Sequence, residues 1–219
     1  MERGFAPFFG IAERSVLPIK NRIFTLWQRH RVIFIKTYNT EAMKQTNKPF
    51  IIIIDGPMGA GKTTIAKLIH QKIHGIAHIG LDRTKFFVSH FNRTPEENAI
   101  AGAIVFEMYK TYLKNGVSVL LEQGFKHQKL LTPYLSFAKR MNFPIFIFQI
   151  EANPKLLLER LALRPKPEAA KRKVSKVRMI ANIKSYFENK YQNAIIVSSE
   201  NQSPEQIANH ILKLIKKSQ

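Results

Sequence analysis

The residues with the clearest chemistry form one octapeptide, Gly56-Pro-Met-Gly-Ala-Gly-Lys62-Thr63, which lies between an apolar run and a helical pattern. Gly56, Gly59 and Gly61 lack the Cβ that would obstruct a backbone turning with positive φ around phosphate oxygens. The amide groups of such a loop, and the first turn of the helix that follows it, attract anions. The order of strand, loop and helix predicts a site for a nucleoside triphosphate and disfavours a merely glycine-rich connection.

The predicted nucleotide-binding residues cover the whole loop and the start of its helix. They are Gly56, Pro57, Met58, Gly59, Ala60, Gly61, Lys62, Thr63 and Thr64. The Lys62 ammonium group is expected to neutralise the β- and γ-phosphates, and the Thr63 hydroxyl is expected to hold a Mg²⁺ ion that bridges them. The loop therefore predicts a nucleotide and Mg²⁺ as ligands.

The elements around the loop alternate between short apolar runs and longer helical patterns, which indicates an α/β fold with a parallel sheet. Five strands are predicted, at residues 50–54, 76–81, 117–121, 145–150 and 194–197. Three helix starts are marked by a capping residue followed by proline, at Thr94-Pro95, Thr132-Pro133 and Ser203-Pro204. The helix after the loop is predicted from Lys62 to about His74, since its apolar residues recur at helical spacing.

Composition limits the class of protein. A chain of 219 residues with 45% hydrophobic residues suits one well-buried domain with an appendage. The absence of cysteine excludes disulfides and thiolate metal sites and is compatible with the reducing cytoplasm, where we expect the protein. No apolar run approaches the roughly 20 residues that span a bilayer, so we expect no membrane span.

The charge of the chain is strongly basic, with 35 Lys and Arg against 15 Asp and Glu and a formal net charge of +20. Such a chain attracts phosphates, nucleic acid or anionic lipid, although a basic composition without a specific site is an equal alternative. The acidic residues are more informative. The aspartates of the whole sequence are Asp55 and Asp82, and each follows a predicted strand.

Residues 1–48 do not fit the alternating pattern and are interpreted as a basic appendage to a domain at 49–219. An aromatic, basic stretch from Ile19 to Tyr38 contains Trp27. Three explanations stay open: a basic amphipathic segment for a membrane surface or acidic partner, a transit-like leader, and residues upstream of the natural start. The last is favoured, because Met43 begins a short polar lead into the first strand.

Four landmarks support a family resemblance: the loop 56–64, His78-Ile-Gly-Leu-Asp82-Arg83 after the second strand, Val119-Leu-Leu-Glu122 at the third, and Leu156-Leu-Leu-Glu-Arg160-Leu-Ala-Leu-Arg164 after the fourth. From Phe50 onward the chain resembles small P-loop kinases, especially polynucleotide 5′-kinases, zeta-type toxins and antibiotic phosphotransferases. The resemblance implies a three-layer P-loop NTPase fold with sheet order 2-3-1-4-5, a basic lid at about 160–180, and ATP with Mg²⁺ as ligands.

Asp82 is the predicted catalytic base, because a carboxylate at the carboxyl end of a strand beside the phosphate loop faces the crevice where ligands bind. A capping role for Asp82 is the alternative. Arg83 or Lys85 is expected to grip an anionic substrate, although the family pattern favours the position of Lys85. Asp55, which precedes the loop, is a second candidate base, since an acid at this place occurs in nucleoside and nucleotide kinases.

Glu122 corresponds to the Walker B carboxylate of the resemblance, which reaches Mg²⁺ through water. A role as general base for water, or a structural role, stays open because aspartate is commoner there. The histidines predict no metal site: His70 and His74 lie four residues apart but are better explained as helix surface, and His78 shows no pairing with an acid at metal-ligand spacing.

The predicted lid is the most concentrated basic segment, and a solvated basic loop is its alternative. Its cations are Arg160, Arg164, Lys166, Lys171, Arg172, Lys173, Lys176 and Arg178. An arginine on a closing loop can stabilise the charge of a phosphoryl group in transfer, and Arg160 and Arg164 are the catalytic candidates, together with Lys62.

The predicted function is ATP-dependent transfer of a phosphoryl group to a hydroxyl of a small molecule or of a nucleic-acid end. One alternative is an ATPase that binds nucleic acid and uses hydrolysis as a switch. Others are a nucleoside or nucleotide kinase, and a toxin of the zeta type. The partners expected are ATP and an anionic or hydroxyl-bearing acceptor, which the sequence does not identify.

Overall fold

The computed structural model describes residues 48–125, 128–163, 175–188, 191 and 193–217. Within these residues, five parallel strands form one sheet in the order β2-β3-β1-β4-β5. The strands are β1 (Ile51–Asp55), β2 (Ala77–Gly80), β3 (Val119–Glu122), β4 (Ile145–Glu151) and β5 (Ile195–Ser198). The predicted strands and the sheet order are confirmed, with strand ends that differ by at most two residues.

The described part of the chain contains seven helices. They are α1 (Lys62–Lys72), α2 (Leu81–Lys85), α3 (Pro95–Lys114), α4 (Gln128–Arg140), α5 (Pro154–Leu163), α6 (Lys176–Glu188) and α7 (Pro204–Lys217). The capping box at Thr94 is confirmed, because its hydroxyl accepts from the Glu97 amide while the Glu97 carboxylate accepts from the Thr94 amide. Ser203 and Gln206 make the same reciprocal bonds at the start of α7.

One predicted helix start was wrong. The helix expected to begin at Thr132 and Pro133 begins at Gln128, and Pro133 lies inside it. A proline at that place removes one backbone hydrogen bond and crowds the carbonyl group four residues earlier. Leu131 and Tyr134 on the same helix are buried, so packing against the sheet offsets that loss.

Helices cover both faces of the sheet, which explains why β1 is apolar along almost its whole length. Ile52 and Ile54 belong to the core under α1 and α7, whereas Ile51 and Ile53 belong to the core under α3 and α4. The result is a three-layer arrangement with the predicted P-loop NTPase topology. The carboxyl ends of the parallel strands share one edge, and the glycine-rich loop leaves β1 at this edge.

Two predicted segments fall largely outside the described residues. They are the basic appendage at 1–48, of which Lys48 is described, and the lid between Leu163 and Ser175, including Arg164. Across the residues that the structure does describe, no helix combines the length and the apolar character needed to cross a bilayer.

Candidate functional site

The loop between β1 and α1 has a backbone that only glycine readily adopts. Gly56, Gly59 and Gly61 have φ angles of 149°, 84° and 90°. A Cβ on Gly56 would lie 2.3 Å from the carbonyl oxygen of Ile150, and one on Gly59 would lie 2.7 Å from that of Leu157. The backbones of β4 and α5 therefore pack directly against the loop, and this close approach fixes its shape.

The Lys62 side chain folds back over the loop. Its Nζ donates to the carbonyl oxygens of Gly56 at 2.8 Å and of Pro57 at 2.9 Å. The Met58 amide donates to Oδ1 of Asn182 on α6 at 3.1 Å, which ties the loop to a second element. The positive charge of Lys62 thus lies within the loop, at the start of α1, where the helix end also favours anions.

Thr63 and Glu122, the predicted metal ligands, are brought together by the fold. The Thr63 hydroxyl, in the first turn of α1, donates to Oε1 of Glu122 at the end of β3. Thr64 beside it is exposed, and Ala60 is buried within the loop. A hydroxyl and a carboxylate are hard oxygen donors, so these residues fit Mg²⁺. In the described ranges no three His, Cys, Asp or Glu side chains form a metal site.

His78 also contacts Glu122, although no metal-ligand spacing in the sequence pairs it with an acid. Its Nε2 lies 3.2 Å from Oε2 of Glu122, and the histidine side chain is 1% exposed. Burial raises the pKa of Glu122, but the hydrogen bonds from His78 and Thr63, with the positive charge of Lys62, outweigh it and lower the pKa overall. The contact joins two strands that are distant in sequence, so spacing alone could not reveal it.

Asp55 is buried beneath the loop. Its Oδ1 accepts a hydrogen bond from the Phe125 amide at 3.0 Å, while its Oδ2 has no hydrogen-bond partner among the described groups. Burial raises the pKa of Asp55 to about 6, opposed by the amides of Gly56 and Phe125 and by the Lys62 charge. The sequence indicated an acid before the loop but did not indicate its burial.

The tyrosines Tyr186 and Tyr191 share the environment of Asp55. Burial first, and then the Asp55 carboxylate, raise the pKa of both hydroxyls. Tyr191 donates its hydroxyl to the Phe125 carbonyl oxygen at 2.9 Å. The region behind the loop is therefore a buried polar cluster, and no sequence motif pointed to these tyrosines.

Asp82 lies two residues beyond the end of β2, in the first turn of the short helix α2, because β2 ends one residue earlier than the predicted strand. Its side chain is 77% exposed, and Oδ1 lies 3.2 Å from Lys85 Nζ and 3.8 Å from Arg93 Nη1. Lys85 itself is buried except for 8% of its surface. The residue expected to grip an anionic substrate therefore holds the Asp82 carboxylate in this structure.

Arg160 lies in α5 and contacts the body of the domain. Its guanidinium donates to Ser199 Oγ at 2.8 Å and to the Ser199 carbonyl oxygen at 2.6 Å, just beyond β5. Ser199 is in turn tied to the carbonyl oxygen of Glu151 at the end of β4. Arg160 therefore anchors α5 to the sheet, and a role as a lid arginine, which stays a prediction, requires it to leave Ser199.

Solved structures of similar fold include kinases and a resistance protein. A putative kinase from Chloroflexus aurantiacus is 16% identical, with a TM-score of 0.60 over 80% of this chain and 100% of its own. A sugar kinase from a Janibacter species is 15% identical, with a TM-score of 0.57 over 77% and 95%. The tunicamycin resistance protein of Deinococcus radiodurans is 17% identical, with a TM-score of 0.55 over 77% and 96%. At these identities the likeness shows the fold.

No curated protein matches the sequence. A protein family does match, and the match covers residues 51–189, which is more than half of the chain. It begins with β1 and includes the glycine-rich loop, Asp82, Glu122 and Arg160. The chain belongs to the AAA domain family AAA_33, and its fold is that of P-loop kinases.

Proposed function

We propose that this chain is an ATP- and Mg²⁺-dependent kinase that transfers the γ-phosphoryl group to a hydroxyl of an acceptor. The observation that carries the proposal is the contact of Thr63 with Glu122 beside Lys62. It joins the phosphate loop to a carboxylate suited to Mg²⁺, which is the combination that phosphoryl transfer needs. The kinases among the structures of similar fold support the same class of reaction.

The residues of the loop act mainly by binding and orienting the nucleotide. The loop amides and the Lys62 ammonium group hold the β- and γ-phosphates in a fixed place. The Thr63 hydroxyl donates a hydrogen bond to Glu122 and so keeps an oxygen lone pair free for a metal ion. Bound Mg²⁺ supplies positive charge to the phosphate oxygens during transfer.

Asp82 is the proposed base, because its carboxylate is exposed to an acceptor in solvent, whereas that of Asp55 is buried. The acceptor oxygen bonds to the γ-phosphorus, the bond from that phosphorus to the bridging oxygen of ADP breaks, and the acceptor proton passes to Asp82. Asp55 is the alternative base. Its burial and its bond to the Phe125 amide leave Oδ2 as the oxygen that could accept a proton.

The favoured acceptor is a small hydroxyl-bearing molecule with an anionic group. Lys85 and Arg93 place two cations beside Asp82, and similar folds occur in a sugar kinase and in a tunicamycin resistance protein. A second candidate acceptor is the 5′-hydroxyl end of a nucleic acid. Phe86 and Phe87 favour it, since they follow α2 with 67% and 73% exposure and could stack on bases.

The test is transfer of label from γ-labelled ATP to panels of sugars, nucleosides, antibiotics and 5′-hydroxyl oligonucleotides. We expect label on one class of acceptor with wild-type protein and none with Lys62→Ala as the matched control. Label on oligonucleotides alone would select the second acceptor. A different result would contradict the kinase proposal: nucleic acid stimulates the release of inorganic phosphate, and no acceptor is labelled. The protein would then be an ATPase that binds nucleic acid.

A further inference from the structure

Glu122 is held at both carboxylate oxygens by side chains of different elements. Oε1 accepts from the Thr63 hydroxyl, and Oε2 lies 3.2 Å from Nε2 of His78. The glutamate side chain is 13% exposed, so water competes little for these oxygens. A glutamate has three rotatable side-chain bonds, and both contacts together restrict it to one orientation.

The strand pairing explains why His78 reaches this carboxylate. Gly80 pairs with Glu122 and His78 pairs with Leu120, so His78 and Glu122 are diagonal neighbours on the same face of β2 and β3. A Cβ at Gly80 would lie 2.9 Å from the Glu122 carbonyl oxygen and 3.7 Å from its Cβ. A side chain at position 80 would therefore crowd the backbone of Glu122.

The buried environment selects one form of the imidazole. Nδ1 of His78 is buried and has no hydrogen-bond partner among the described groups. A proton on Nδ1 would be a buried donor without an acceptor, which is costly, so the proton of the neutral ring belongs on Nε2. In this tautomer His78 donates a hydrogen bond to Oε2 of Glu122. The ring of His70 on α1 lies beside that of His78, with the two centroids 5.6 Å apart.

We propose that His78 is a positioning residue that fixes the Glu122 carboxylate in the orientation in which it and Thr63 serve Mg²⁺. The inference rests on the proposed function, because it needs a metal ion at the nucleotide phosphates. His78 touches neither nucleotide nor metal and acts through Glu122. Outer partners of this kind that orient a metal-binding carboxylate typically change metal affinity by about 10- to 100-fold when removed.

Mn²⁺ tests the proposal, because its binding to the complex of the full chain with ADP can be followed by electron paramagnetic resonance without turnover. We expect His78→Leu to weaken Mn²⁺ binding about 10-fold or more. ADP affinity in EDTA should stay within about threefold, since the loop contacts are intact. His78→Gln should restore most of the metal affinity, because its amide nitrogen occupies the place of Nε2. His78→Asn should not restore the metal affinity, because its shorter side chain does not bring the amide to Glu122. If His78→Leu does not fold, the comparison of His78→Gln with His78→Asn still tests the positioning role.

The matched control is His70→Leu, which removes the ring packing on His78 but no hydrogen bond to Glu122, and it should keep Mn²⁺ affinity within about threefold. Two results would overturn the positioning role alone. One is that His78→Leu or His78→Asn binds Mn²⁺ as tightly as wild type does. The other is that His78→Gln loses as much Mn²⁺ affinity as His78→Asn does. Absence of Mn²⁺·ADP binding by wild-type protein would overturn the proposed function as well. In the transfer assay, His78→Leu should raise the Mg²⁺ concentration needed for half-maximal rate more than it lowers kcat at saturating Mg²⁺.

Discussion

The hydroxyl of Thr63 donates a hydrogen bond to Oε1 of Glu122, so the first turn of α1 and the end of β3 meet at one carboxylate. This contact couples the start of α1, directly after the glycine-rich loop, to β3. It also assigns each oxygen of Glu122 a partner, since Oε2 faces His78. The account of metal and nucleotide binding depends on this arrangement.

Glu122→Gln removes the negative charge but keeps a carbonyl oxygen that can accept from Thr63. We expect the Mg²⁺ concentration that supports half-maximal ADP binding to rise about 10-fold, because a neutral amide orients and attracts a hydrated cation less well. Calorimetric titration of ADP at several Mg²⁺ concentrations measures the shift. ADP binding in EDTA is the control and should change little. An unchanged Mg²⁺ requirement would exclude Glu122 from the metal site.

Gly56→Ala should destabilise the protein by about 2 kcal/mol or more, because the added methyl group meets the Ile150 carbonyl and strains the backbone. Gly102 in α3 is a matched control, because a Cβ there has nothing within 4 Å. Gly102→Ala should raise stability by about 0.5 to 1 kcal/mol through helix propensity. Urea unfolding of both variants checks the prediction. Similar stabilities of Gly56→Ala and wild type would mean that the loop can relax away from β4.

The sequence predicted the strands and the loop because local signals determine both. Apolar runs mark strands that are buried on both faces, and the glycine spacing marks a backbone with positive φ. Thr63 was predicted from the motif of the loop and Glu122 through the family resemblance, and the fold brings the two side chains into contact.

The features of the site that the sequence did not predict depend on tertiary contacts. His78 reaches Glu122 only because β2 and β3 are adjacent in the sheet, and burial of Asp55 follows from packing of several elements. The position of Asp82 in a helix, and the Arg160 contact with Ser199, likewise join groups that no short pattern links. Pro133 misled the prediction because packing of α4 outweighs a local proline signal.

Asp55 predicts a specific pH dependence of stability. Its folded-state pKa is raised from 3.8 to about 6, so the folded protein binds this proton more tightly than the unfolded chain does. The contribution is fully present below pH 3.8 and is lost as the pH rises through about 6. Relative to Asp55→Asn, wild-type protein should therefore lose about 2 to 3 kcal/mol of unfolding free energy between pH 4 and pH 7.

Urea unfolding of wild type and Asp55→Asn at both pH values measures this difference. The comparison isolates Asp55, because all other titrating groups are common to the two proteins. Asn keeps an oxygen for the Phe125 amide, so the contact at Oδ1 is retained. A stability difference that does not vary with pH would show that Asp55 is ionised in the folded protein as easily as in the unfolded chain.

Arg160→Met keeps the aliphatic stem of the side chain but removes both hydrogen bonds to Ser199. We expect a loss of stability of about 1 to 3 kcal/mol, since a charged donor is replaced and the Ser199 carbonyl loses a partner. Ser199→Ala removes the hydroxyl that accepts from Arg160 and donates to Glu151, but it keeps the contact of Arg160 with the Ser199 carbonyl oxygen and should cost less. Thermal unfolding compares the two. Unchanged stability of Arg160→Met together with a large fall in turnover would instead favour the lid role.

The most direct test of the central claim is the initial rate of label transfer from γ-labelled ATP to the acceptor selected by the panel, for wild type, Lys62→Ala and Asp82→Asn. The account predicts Mg²⁺-dependent transfer by wild type and strongly weakened ATP binding by Lys62→Ala. Asp82→Asn should have a turnover about 10²-fold lower with ATP affinity within a few-fold, because general-base catalysis supplies about 10² to 10⁴. Full transfer by Asp82→Asn, with loss of transfer in Asp55→Asn, would assign the base to Asp55. The account would be contradicted if wild-type protein showed no Mg²⁺-dependent transfer to any acceptor.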